Sequence, residues 1–363
     1  MKFVLLCKRH YTNKDLILDK FGRLFYLPVE LAKHGHEGIV IAADYRNKTP
    51  FYQRIENIDF YSFPLQPLKL FSFISQINQT IKNYQPDVII ASGDTHFGAL
   101  GLWLSYQMKI LMIFDVYDYY PAFGTNKIPF FKSLFQFNLR KADLIICASR
   151  PLEKLALTYN TNALFIPNGI DQTIFKPMNK QSLRQKLDIS QEDKVVGYFG
   201  SIEKNRGFET LLEACRLLRT EIPNLKLLMA GKIGIPLNLN ETWIDNRGFV
   251  TQAQVAEFIN ISDVVTIPYI ADDLINFGNS CKTAEYLACD TPLVSTKVDN
   301  YLANYTTISE QSLCNPLDPQ DMARALKLQL LNPQKTPFPQ ELSWSFLGQQ
   351  LAQSMGKLLN KSL

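Results

Sequence analysis

The sequence predicts an α/β fold with two doubly wound domains, each built on a parallel sheet. Its 363 residues, 46% of them hydrophobic, are enough for about two globular domains rather than one small module. Short apolar runs alternate along the whole chain with amphipathic stretches of helical period. Because these runs are apolar on both faces, we expect parallel strands covered by helices.

The predicted strands fall into two groups along the chain. The first group is KFVLL, GIVIAA, DVIIAS, KILMIF and DLIICAS, and the second is KVVGYFG, LKLLMAG, DVVTIPY and TPLVSTK. The boundary is expected in FIPNGIDQTIFKP, residues 165–177, where the last run of the first half ends in Pro-Asn-Gly. We therefore place one domain at residues 1–170 and a second at residues 171–343.

The composition argues against several classes of protein. The six cysteines are scattered, without a Cys-x-x-Cys pair or a histidine cluster, which indicates reduced thiols rather than disulfides or a zinc site. The net charge of +4 is too small to indicate a nucleic-acid partner, although the first half is the more basic. The start MKFVLLCKRHY is too short an apolar run for a signal peptide, and no run of about 18 apolar residues follows. We therefore expect a cytoplasmic chain that does not cross a membrane.

The first candidate binding element is GYFGSIEKNRGFETLLEACRLL, residues 197–218. Ligands of open parallel sheets bind beyond the carboxyl ends of the strands, and one strand is predicted to end at Phe199. Gly200 lets the backbone approach a ligand, the following helix start favours an anion, and Lys204 and Arg206 are placed to hold a diphosphate. A solvated loop with two surface cations explains the same residues equally well.

The second candidate is GNSCKTAEYLACDTPLVS, residues 278–295, after a predicted turn at residues 276–279. Ser280 is a good N-cap for a helix, and Lys282 and Glu285 then lie on one face near its start. A phosphate over the first turn would be held by backbone amides and Lys282, while Glu285 accepts hydrogen bonds from ribose hydroxyls. The alternative is an ordinary Lys–Glu pair along the helix, of negligible energy.

The third candidate is IFDVYDYYPAFG, residues 113–124, in the first domain. Asp115 and Asp118 follow a predicted strand end and are surrounded by tyrosines. A carboxylate there can steady positive charge or take a proton from an acceptor hydroxyl. Strand-end capping with aromatic packing is an equally good explanation.

These segments resemble, in order, those of the retaining glycosyltransferases of family 4, also called group 1. The similar strings are ELAKHGHEGIVIA, LFIPNGIDQTIFKP, GSIEKNRG, NRGFVTQAQVAEFINISDVVTIPY, SCKTAEYLACDTPLVS and LSWSFLGQQL. The resemblance covers nearly the whole chain. It implies the GT-B architecture, with two facing Rossmann-like domains, and a C-terminal helix at residues 344–363 that returns to the N-terminal acceptor domain.

The resemblance also implies roles for individual residues. Glu285 would bind the ribose of a nucleotide-sugar, with Arg206 and Lys282 near its diphosphate. Because cations and helix amides stabilise the leaving diphosphate, neither a metal nor a cofactor is expected. The expected catalytic residues are Asp115, Asp118, Arg206 and Lys282. The expected donor-binding residues are Gly200, Ser201, Lys204, Gly278, Asn279, Ser280 and Glu285, and Gly22 and Tyr117 are expected on the acceptor side.

Four residues depart from the pattern of the family. Phe277 stands where an acid is frequent, Ser201 where arginine is frequent, and Tyr117 where histidine is frequent. Asp290 replaces a glycine, which is tolerable because aspartate accepts a left-handed turn better than most residues. These changes put the catalytic roles in question without breaking the fold.

The expected activity is transfer of a hexose-type sugar from a nucleotide-sugar to a hydroxyl of a saccharide or lipid-linked acceptor, in cell-envelope polysaccharide or glycolipid synthesis. The aromatic, basic segments IPFFKSLFQFNLRKADL, residues 128–144, and PLQPLKLFSFISQI, residues 64–77, either lie on the inner face of a membrane or pack as ordinary helices. Two rivals remain, a GT-B nucleotide-sugar epimerase and a relative that binds a nucleotide-sugar without turnover.

Overall fold

The structure is a computed structural model that describes residues 1–11, 14–66 and 70–362. The chain divides into two units, each with its own sheet. The first unit comprises residues 1–169, 277–279 and 343–363, and the second comprises residues 170–276 and 280–342.

The first unit is an α/β sandwich around a mainly parallel sheet. Its strands are β1 (Lys2–Lys8), β2 (His10–Tyr11), β3 (Lys14–Asp15), β4 (Glu37–Asp44), β5 (Phe51–Ile55), β6 (Ile58–Pro64), β7 (Val88–Ser92), β8 (Leu111–Val116), β9 (Leu144–Cys147) and β10 (Ala163–Phe165). Its helices up to residue 169 are α1 (Arg23–Lys33), α2 (Leu70–Tyr84), α3 (Thr95–Met108), α4 (Pro129–Lys141) and α5 (Arg150–Leu157).

Among the described residues of this unit, eight strands form one sheet in the order β10-β9-β8-β7-β1-β4-β6-β5. All neighbours are parallel except β5 and β6, which are antiparallel at the edge. The five predicted strand runs of this half are confirmed, and their central residues are buried on both faces, as in β1 and β7. The edge pair was not predicted, because β5 is half exposed and lacks a continuous apolar run.

The second unit, which is fully described, repeats the architecture with a wholly parallel sheet in the order β13-β12-β11-β14-β15-β16. Its strands are β11 (Lys194–Phe199), β12 (Leu225–Ala230), β13 (Ile244–Asn246), β14 (Val264–Ile267), β15 (Leu293–Thr296) and β16 (Leu313–Cys314). Its helices are α6 (Lys180–Lys186), α7 (Phe208–Arg219), α8 (Gln252–Ile261), α9 (Asp273–Phe277), α10 (Cys281–Ala288), α11 (Asp299–Asn304) and α12 (Pro319–Leu331). The four predicted strand runs of this half are confirmed, as are the strand end at Phe199 and the helix start at Phe208.

The last helix, α13 (Trp344–Ser362), belongs to the first unit. The indole of Trp344 stacks on the Tyr26 ring of α1, with 5.3 Å between ring centroids. Leu347, Leu351 and Met355 are buried in the same hydrophobic core as β1 and α1. This helix therefore completes the core of a unit whose other elements lie far upstream in the sequence.

The two aromatic segments fold as amphipathic helices that leave some rings in solvent. Helix α4 buries Phe135 but leaves the Phe130 side chain 67% exposed. Helix α2 buries Phe73 and leaves Phe71 89% exposed, while residues 67–69 of the predicted segment lie outside the described residues. Of the helices that the structure describes, none combines the length and apolarity needed to span a bilayer.

Candidate functional site

In the second unit, a glycine loop follows β11, a central strand of the sheet. Gly200 has φ +136°, a conformation that side-chain-bearing residues rarely adopt. A Cβ atom at this position would lie 2.3 Å from both Cε and Nζ of Lys282. Glycine is therefore what allows the lysine side chain of α10 to lie against the end of β11.

Lys282 carries a buried ammonium group without a counter-ion. Its Nζ is inaccessible and has no hydrogen-bond partner within the described ranges. The nitrogen lies over two aromatic rings, 4.7 Å from the Tyr198 centroid and 5.4 Å from the Tyr269 centroid. Burial lowers the pKa of Lys282, but Tyr198 and Tyr269 raise it, so that the net pKa lies above its usual value and the side chain stays charged. The site is therefore short of one negative charge.

Arg206 brings a second cation to the same tyrosine. Its guanidinium carbon lies 4.6 Å from the centroid of the Tyr269 ring. Its Nε is buried and has no hydrogen-bond partner in the described part of the chain. The loop that carries Arg206 is held by Asn205. The side-chain Nδ2 of Asn205 donates to Asp272 Oδ2 at 2.9 Å, and its backbone carbonyl accepts from the backbone amide of Ile270 at 3.0 Å.

The field of the two cations changes the acidity of the tyrosine between them. Burial raises the pKa of the Tyr269 hydroxyl, but Lys282 and Arg206 lower it by more, so that the net pKa lies below its usual value. The hydroxyl also lies 3.2 Å from Ser280 Oγ. A group of residues that stabilises a phenolate oxygen will also stabilise the oxygens of a bound anion.

Two helices begin beside these cations, and neither start is capped by a side chain. Helix α7 begins after Gly207 and α10 begins after Ser280. The prediction that Ser280 is the N-cap residue of α10 is confirmed, but its side chain makes no capping hydrogen bond, and its hydroxyl lies near Tyr269 instead. No N-cap side chain therefore fills the positive end of either helix, where anions bind.

The other predicted donor residues lie at different distances from this centre. The carbonyl of Ser201 accepts a hydrogen bond from the Tyr198 hydroxyl at 2.8 Å, and Glu285 is half-buried one turn beyond Lys282. Lys204 is exposed, in a short 3-10 turn with Arg206. The structure thus groups Gly200, Ser201, Arg206 and Lys282 around the two tyrosines and leaves Lys204 in solvent.

The predicted turn at residues 276–279 is wrong in its first half. Asn276 and Phe277 close the short helix α9, and irregular backbone begins only at Gly278. Residues 277–279 belong to the first unit, where the Phe277 ring stacks on Tyr119 with 4.6 Å between centroids. Asn279 donates to the Ala148 carbonyl at 2.7 Å. Gly278 and Asn279 therefore lie in a segment that packs with the first unit, whereas Ser280 belongs to the second.

In the first unit, Asp115 at the end of β8 is enclosed by its partners. Arg23 donates to it from two nitrogens, Nε to Oδ2 at 3.1 Å and Nη2 to Oδ1 at 2.8 Å. Ser92 Oγ donates to Oδ2 at 2.6 Å, and Asp115 is only 1% exposed. This carboxylate therefore ties α1 to β7 and β8.

Tyr117 and Asp118 instead line an open pocket of about 210 Å³. Its wall is formed by Lys8, Tyr11, Gly93, Asp94, Tyr117, Asp118, Tyr120, Phe123 and Asn126. Lys8, Asp94 and Asp118 stand at or just after the ends of β1, β7 and β8, three adjacent parallel strands. Sequence analysis missed Lys8 and Asp94, although the rule that pointed to Asp118 applies to them equally.

Asp94 is the most strongly held charge of this pocket. Its carboxylate lies 2.6 Å from Lys8 Nζ and 3.0 Å from His96 Nδ1, and it accepts from the His96 and Phe97 amides at the start of α3. Burial raises the pKa of this carboxyl, but the contacts with His96 and Lys8 lower it well below its usual value. Asp94 is therefore ionised throughout the neutral range.

Gly22 lies against Tyr11, one of the residues that line this pocket. A Cβ atom there would lie 2.1 Å from the Tyr11 hydroxyl oxygen, which donates to the Phe21 carbonyl at 2.6 Å. The Tyr11 ring in turn lies 6.2 Å from that of Tyr117. Gly22, Tyr117 and Asp118 are thus brought together in the first unit.

Two further observations concern the remaining sequence predictions. Asp290 has φ +56°, which confirms that it occupies a left-handed position after α10. Across the described residues, no group of three or more histidine, cysteine, aspartate or glutamate side chains is arranged to hold a metal ion.

Protein-family profiles match both halves of the chain. Residues 24–173 match the profile described as Glycosyltransferase Family 4, and residues 193–332 match the profile described as Glycosyl transferases group 1. Together the two matches cover most of the chain and fall on the two units in turn.

Curated relatives are similar at a lower level. The chain is 27% identical over 223 residues to alpha-monoglucosyldiacylglycerol synthase of Streptococcus pneumoniae, a match that covers 56% of this chain and 50% of that protein. It is 27% identical over 147 residues to D-inositol 3-phosphate glycosyltransferase of Segniliparus rotundus, covering 37% of this chain and 31% of that one. The chain thus spans half the length, or less, of each of these two relatives.

Solved structures share the fold over nearly the full length. Anabaena HepE in complex with UDP superimposes with a TM-score of 0.71 and 17% identity, covering 98% of this chain and 100% of that one. Sucrose-phosphate synthase from Thermosynechococcus elongatus superimposes with a TM-score of 0.69 and 16% identity, covering 99% of both chains.

Proposed function

The chain belongs to the family 4 glycosyltransferases of GT-B fold, and on that premise we propose that it transfers a hexose-type sugar from a nucleotide-sugar to an acceptor hydroxyl with retention of configuration. Solved neighbours carry UDP or UDP-glucose, which supports a nucleotide-sugar as the donor of this chain too. The acceptor is a saccharide or a lipid-linked sugar, and the reaction serves cell-envelope polysaccharide or glycolipid synthesis.

One observation carries the proposal: two cationic side chains of the second unit have buried polar atoms without partners, beside two uncapped helix starts. Lys282 Nζ and Arg206 Nε lack hydrogen-bond acceptors among the described residues, and both side chains lie against Tyr269. A diphosphate supplies the acceptor oxygens and the negative charge that this arrangement lacks. The binding of such a group turns an unfavourable buried charge into a paired one.

The proposed position of the diphosphate suggests roles for the remaining donor-binding residues. Glu285, one helical turn beyond Lys282, would accept hydrogen bonds from the ribose hydroxyls. Gly200, Ser201 and the segment Gly278–Ser280 would form the backbone around the diphosphate and the donor sugar. Lys204, which is exposed, would contribute at long range through its charge.

In the transfer step, the bond between the anomeric carbon and the diphosphate oxygen breaks while an acceptor hydroxyl approaches. Lys282 and Arg206 stabilise the charge that develops on the leaving diphosphate, which is the main catalytic task in an oxocarbenium-like transition state. On the acceptor side, Asp118 faces the pocket and takes the proton of the acceptor hydroxyl as its oxygen bonds to the anomeric carbon, and Asp115 holds the end of β8 just before it. Because two cations serve the diphosphate, we propose that neither metal nor cofactor is needed.

The test is calorimetric titration of the purified chain with UDP, GDP, ADP and their sugar conjugates, with and without a metal chelator. We expect one nucleotide to bind selectively and equally well in chelator. Glu285→Ala should weaken its binding by about 1–3 kcal/mol if the carboxylate holds ribose hydroxyls.

The matched control for that variant is Glu310→Ala, which removes a glutamate that is 81% exposed and paired with Lys297. Unchanged nucleotide affinity in Glu285→Ala would mean that Glu285 forms only an ordinary pair along the helix and does not bind the ribose. Loss of binding in chelator would contradict metal independence, and no nucleotide binding at all would contradict the transferase.

A peripheral position on the cytoplasmic membrane face is a further part of the proposal. Phe71 and Phe130 are exposed on amphipathic helices of the first unit, and α4 also exposes Lys132, Arg140 and Lys141. Aromatic side chains beside basic ones suit the interface of an anionic bilayer.

Cosedimentation with anionic lipid vesicles tests this membrane contact. Phe71→Ser and Phe130→Ser should each weaken partitioning about tenfold or more, since each removes an aromatic side chain worth about 1.5–3 kcal/mol when buried. Phe249→Ser in the second unit, where the ring is 78% exposed, is the control and should change nothing. Equal effects of all three variants would contradict a specific surface.

A nucleotide-sugar-binding protein without turnover is the second candidate, and Phe277 favours it. Its ring stacks on Tyr119 where relatives in the resemblance carry an acid, so an aromatic pair occupies the place of a carboxylate. Donor hydrolysis or transfer by the purified chain separates the candidates. Binding without any release of nucleotide supports the non-catalytic interpretation, and interconversion of the donor sugar would indicate an epimerase.

A further inference from the structure

We propose that the pocket of the first unit takes an uncharged sugar ring, so that the end of the acceptor that enters it carries neither phosphate nor carboxylate. The pocket is the one lined by Lys8, Asp94, Tyr117, Asp118 and Asn126 with neighbouring aromatic residues. The inference rests on the proposed function, since it specifies the acceptor of the same reaction.

The charge of the pocket wall disfavours an anion. Among the described residues, its lining contains two carboxylates, those of Asp94 and Asp118, against one ammonium group, that of Lys8. Lys8 Nζ lies 2.6 Å from Asp94 Oδ2, so the positive charge is already neutralised within the protein. The formal charge of the described lining is therefore negative, and a phosphate or carboxylate brought into the pocket would meet like charge at close range.

The helix start at this pocket is closed to anions as well. Helix α3 begins directly after Asp94, and such a start would ordinarily be a phosphate site. Here the Asp94 carboxylate accepts from the first amides of the helix, those of His96 and Phe97, and satisfies them internally. The protein has placed its own anion where an acceptor phosphate would otherwise bind.

The polar atoms of the wall call for hydrogen-bond donors on the ligand. Asn126 is only 6% exposed, and its Oδ1 is buried without a partner in the described part of the chain. This carbonyl and the carboxylates of the wall can only accept hydrogen bonds. Sugar hydroxyls donate as well as accept, whereas ionised phosphate and carboxylate groups only accept. An uncharged polyol therefore complements the wall, and an anion does not.

The size and aromatic content of the pocket fit one ring. Its volume of about 210 Å³ is below the ~300–1,000 Å³ typical of pockets for drug-sized ligands. Tyr11, Tyr117, Tyr120 and Phe123 supply aromatic surface around the polar wall. Such surface packs against the apolar C–H face of a sugar while its hydroxyls reach the acceptors.

The experiment compares matched neutral and charged sugars by saturation-transfer NMR on the full chain, with the bound nucleotide present. The probes are the methyl glycosides of glucose, galactose, mannose and N-acetylglucosamine against glucose 6-phosphate and glucuronate. We expect at least one methyl glycoside to bind and both anions to bind about tenfold or more weakly. Asp118→Asn should weaken the glycoside.

Asp94→Asn supplies the converse test. It removes the charge that closes α3 and leaves Lys8 without its partner, so glucose 6-phosphate should gain affinity in this variant. Equal or tighter binding of the anions by the unmodified chain, binding of neither class, or no gain in Asp94→Asn would overturn the proposal. Nucleotide titration of the same samples distinguishes failure of this proposal from failure of the proposed function. Absence of nucleotide binding would contradict the transferase itself, whereas nucleotide binding without the expected sugar preference would contradict only the uncharged acceptor.

Discussion

Arg23 in the first unit and Lys282 in the second occupy comparable places but make opposite contacts. Each lies in the first turn of a helix at the carboxyl edge of a parallel sheet, and each has its charged group buried. Arg23 is held by two hydrogen bonds to Asp115. Lys282 Nζ lies over two aromatic rings and has no hydrogen-bond partner among the described residues. One fold position therefore supplies stability in one unit and an unsatisfied charge in the other.

The energetics of buried charges explain why the difference matters. A buried ion pair contributes modestly to stability, but removal of one partner costs several kcal/mol because the other charge is left uncompensated. Lys282 has no carboxylate partner to leave behind before a ligand binds. The comparison therefore predicts that equivalent substitutions in the two units change stability by very different amounts.

The largest effect is expected for Arg23→Met. The variant leaves the Asp115 carboxylate buried without its cation, which should lower the free energy of unfolding by about 3–5 kcal/mol. Denaturant titration of the full chain measures this. Arg23→Met combined with Asp115→Leu should recover most of the loss, and a double variant as unstable as the single one would contradict the uncompensated charge as the cause.

Lys282→Met should have a much smaller effect on stability. Removing an ammonium group that has cation–π contacts but no carboxylate partner should change the free energy of unfolding of the ligand-free chain by less than about 1 kcal/mol, while nucleotide binding is lost. Lys180→Met is the control, since Lys180 Nζ lies 2.5 Å from Asp263 Oδ1 and its loss should destabilise. Destabilisation by both variants would mean that Lys282 has a structural partner after all.

The sequence predicts the long strands and the cations Arg206 and Lys282, but not the buried ion pair of Arg23 with Asp115. The nine apolar runs were readable because they are continuous and buried on both faces. Strands of two or three residues, such as β10, β13 and β16, carry no such pattern. Asp115 was predicted to follow a strand end, whereas it lies within β8, and its partner Arg23 stands 92 residues away in the chain. Pairing over such a distance is set by the tertiary fold, which a local pattern does not encode.

A smaller effect than that of Arg23→Met is expected for Asp94→Asn, at the residue whose carboxylate caps α3 in the first unit. Because its folded pKa lies below the ordinary value, its ionised form stabilises the fold above about pH 4, and that contribution is lost as the pH falls further. Asp94→Asn should therefore lower the free energy of unfolding by about 1–2 kcal/mol at pH 7 and by less below pH 4. Urea titrations at both pH values measure the difference, and a pH-independent effect would contradict the charge as its source.

The smallest effect is expected for Ser280→Ala in the second unit. Because the Ser280 hydroxyl contacts Tyr269 and does not cap α10, its loss should cost less than about 0.5 kcal/mol. Thr251→Ala, which removes the cap of α8 and its reciprocal contact with Gln254, should cost about 1 kcal/mol and serves as the reference. Equal losses measured by thermal unfolding would show that Ser280 caps its helix in solution.

The return of α13 to the first unit has a consequence for biosynthesis. Trp344, Leu347 and Leu351 complete the core around α1, yet the ribosome synthesises them after the whole second unit. The first 169 residues therefore leave the ribosome early, but the apolar surface that α13 covers stays exposed until the second unit has been synthesised. The unit that is translated first is thus the one whose core is completed last.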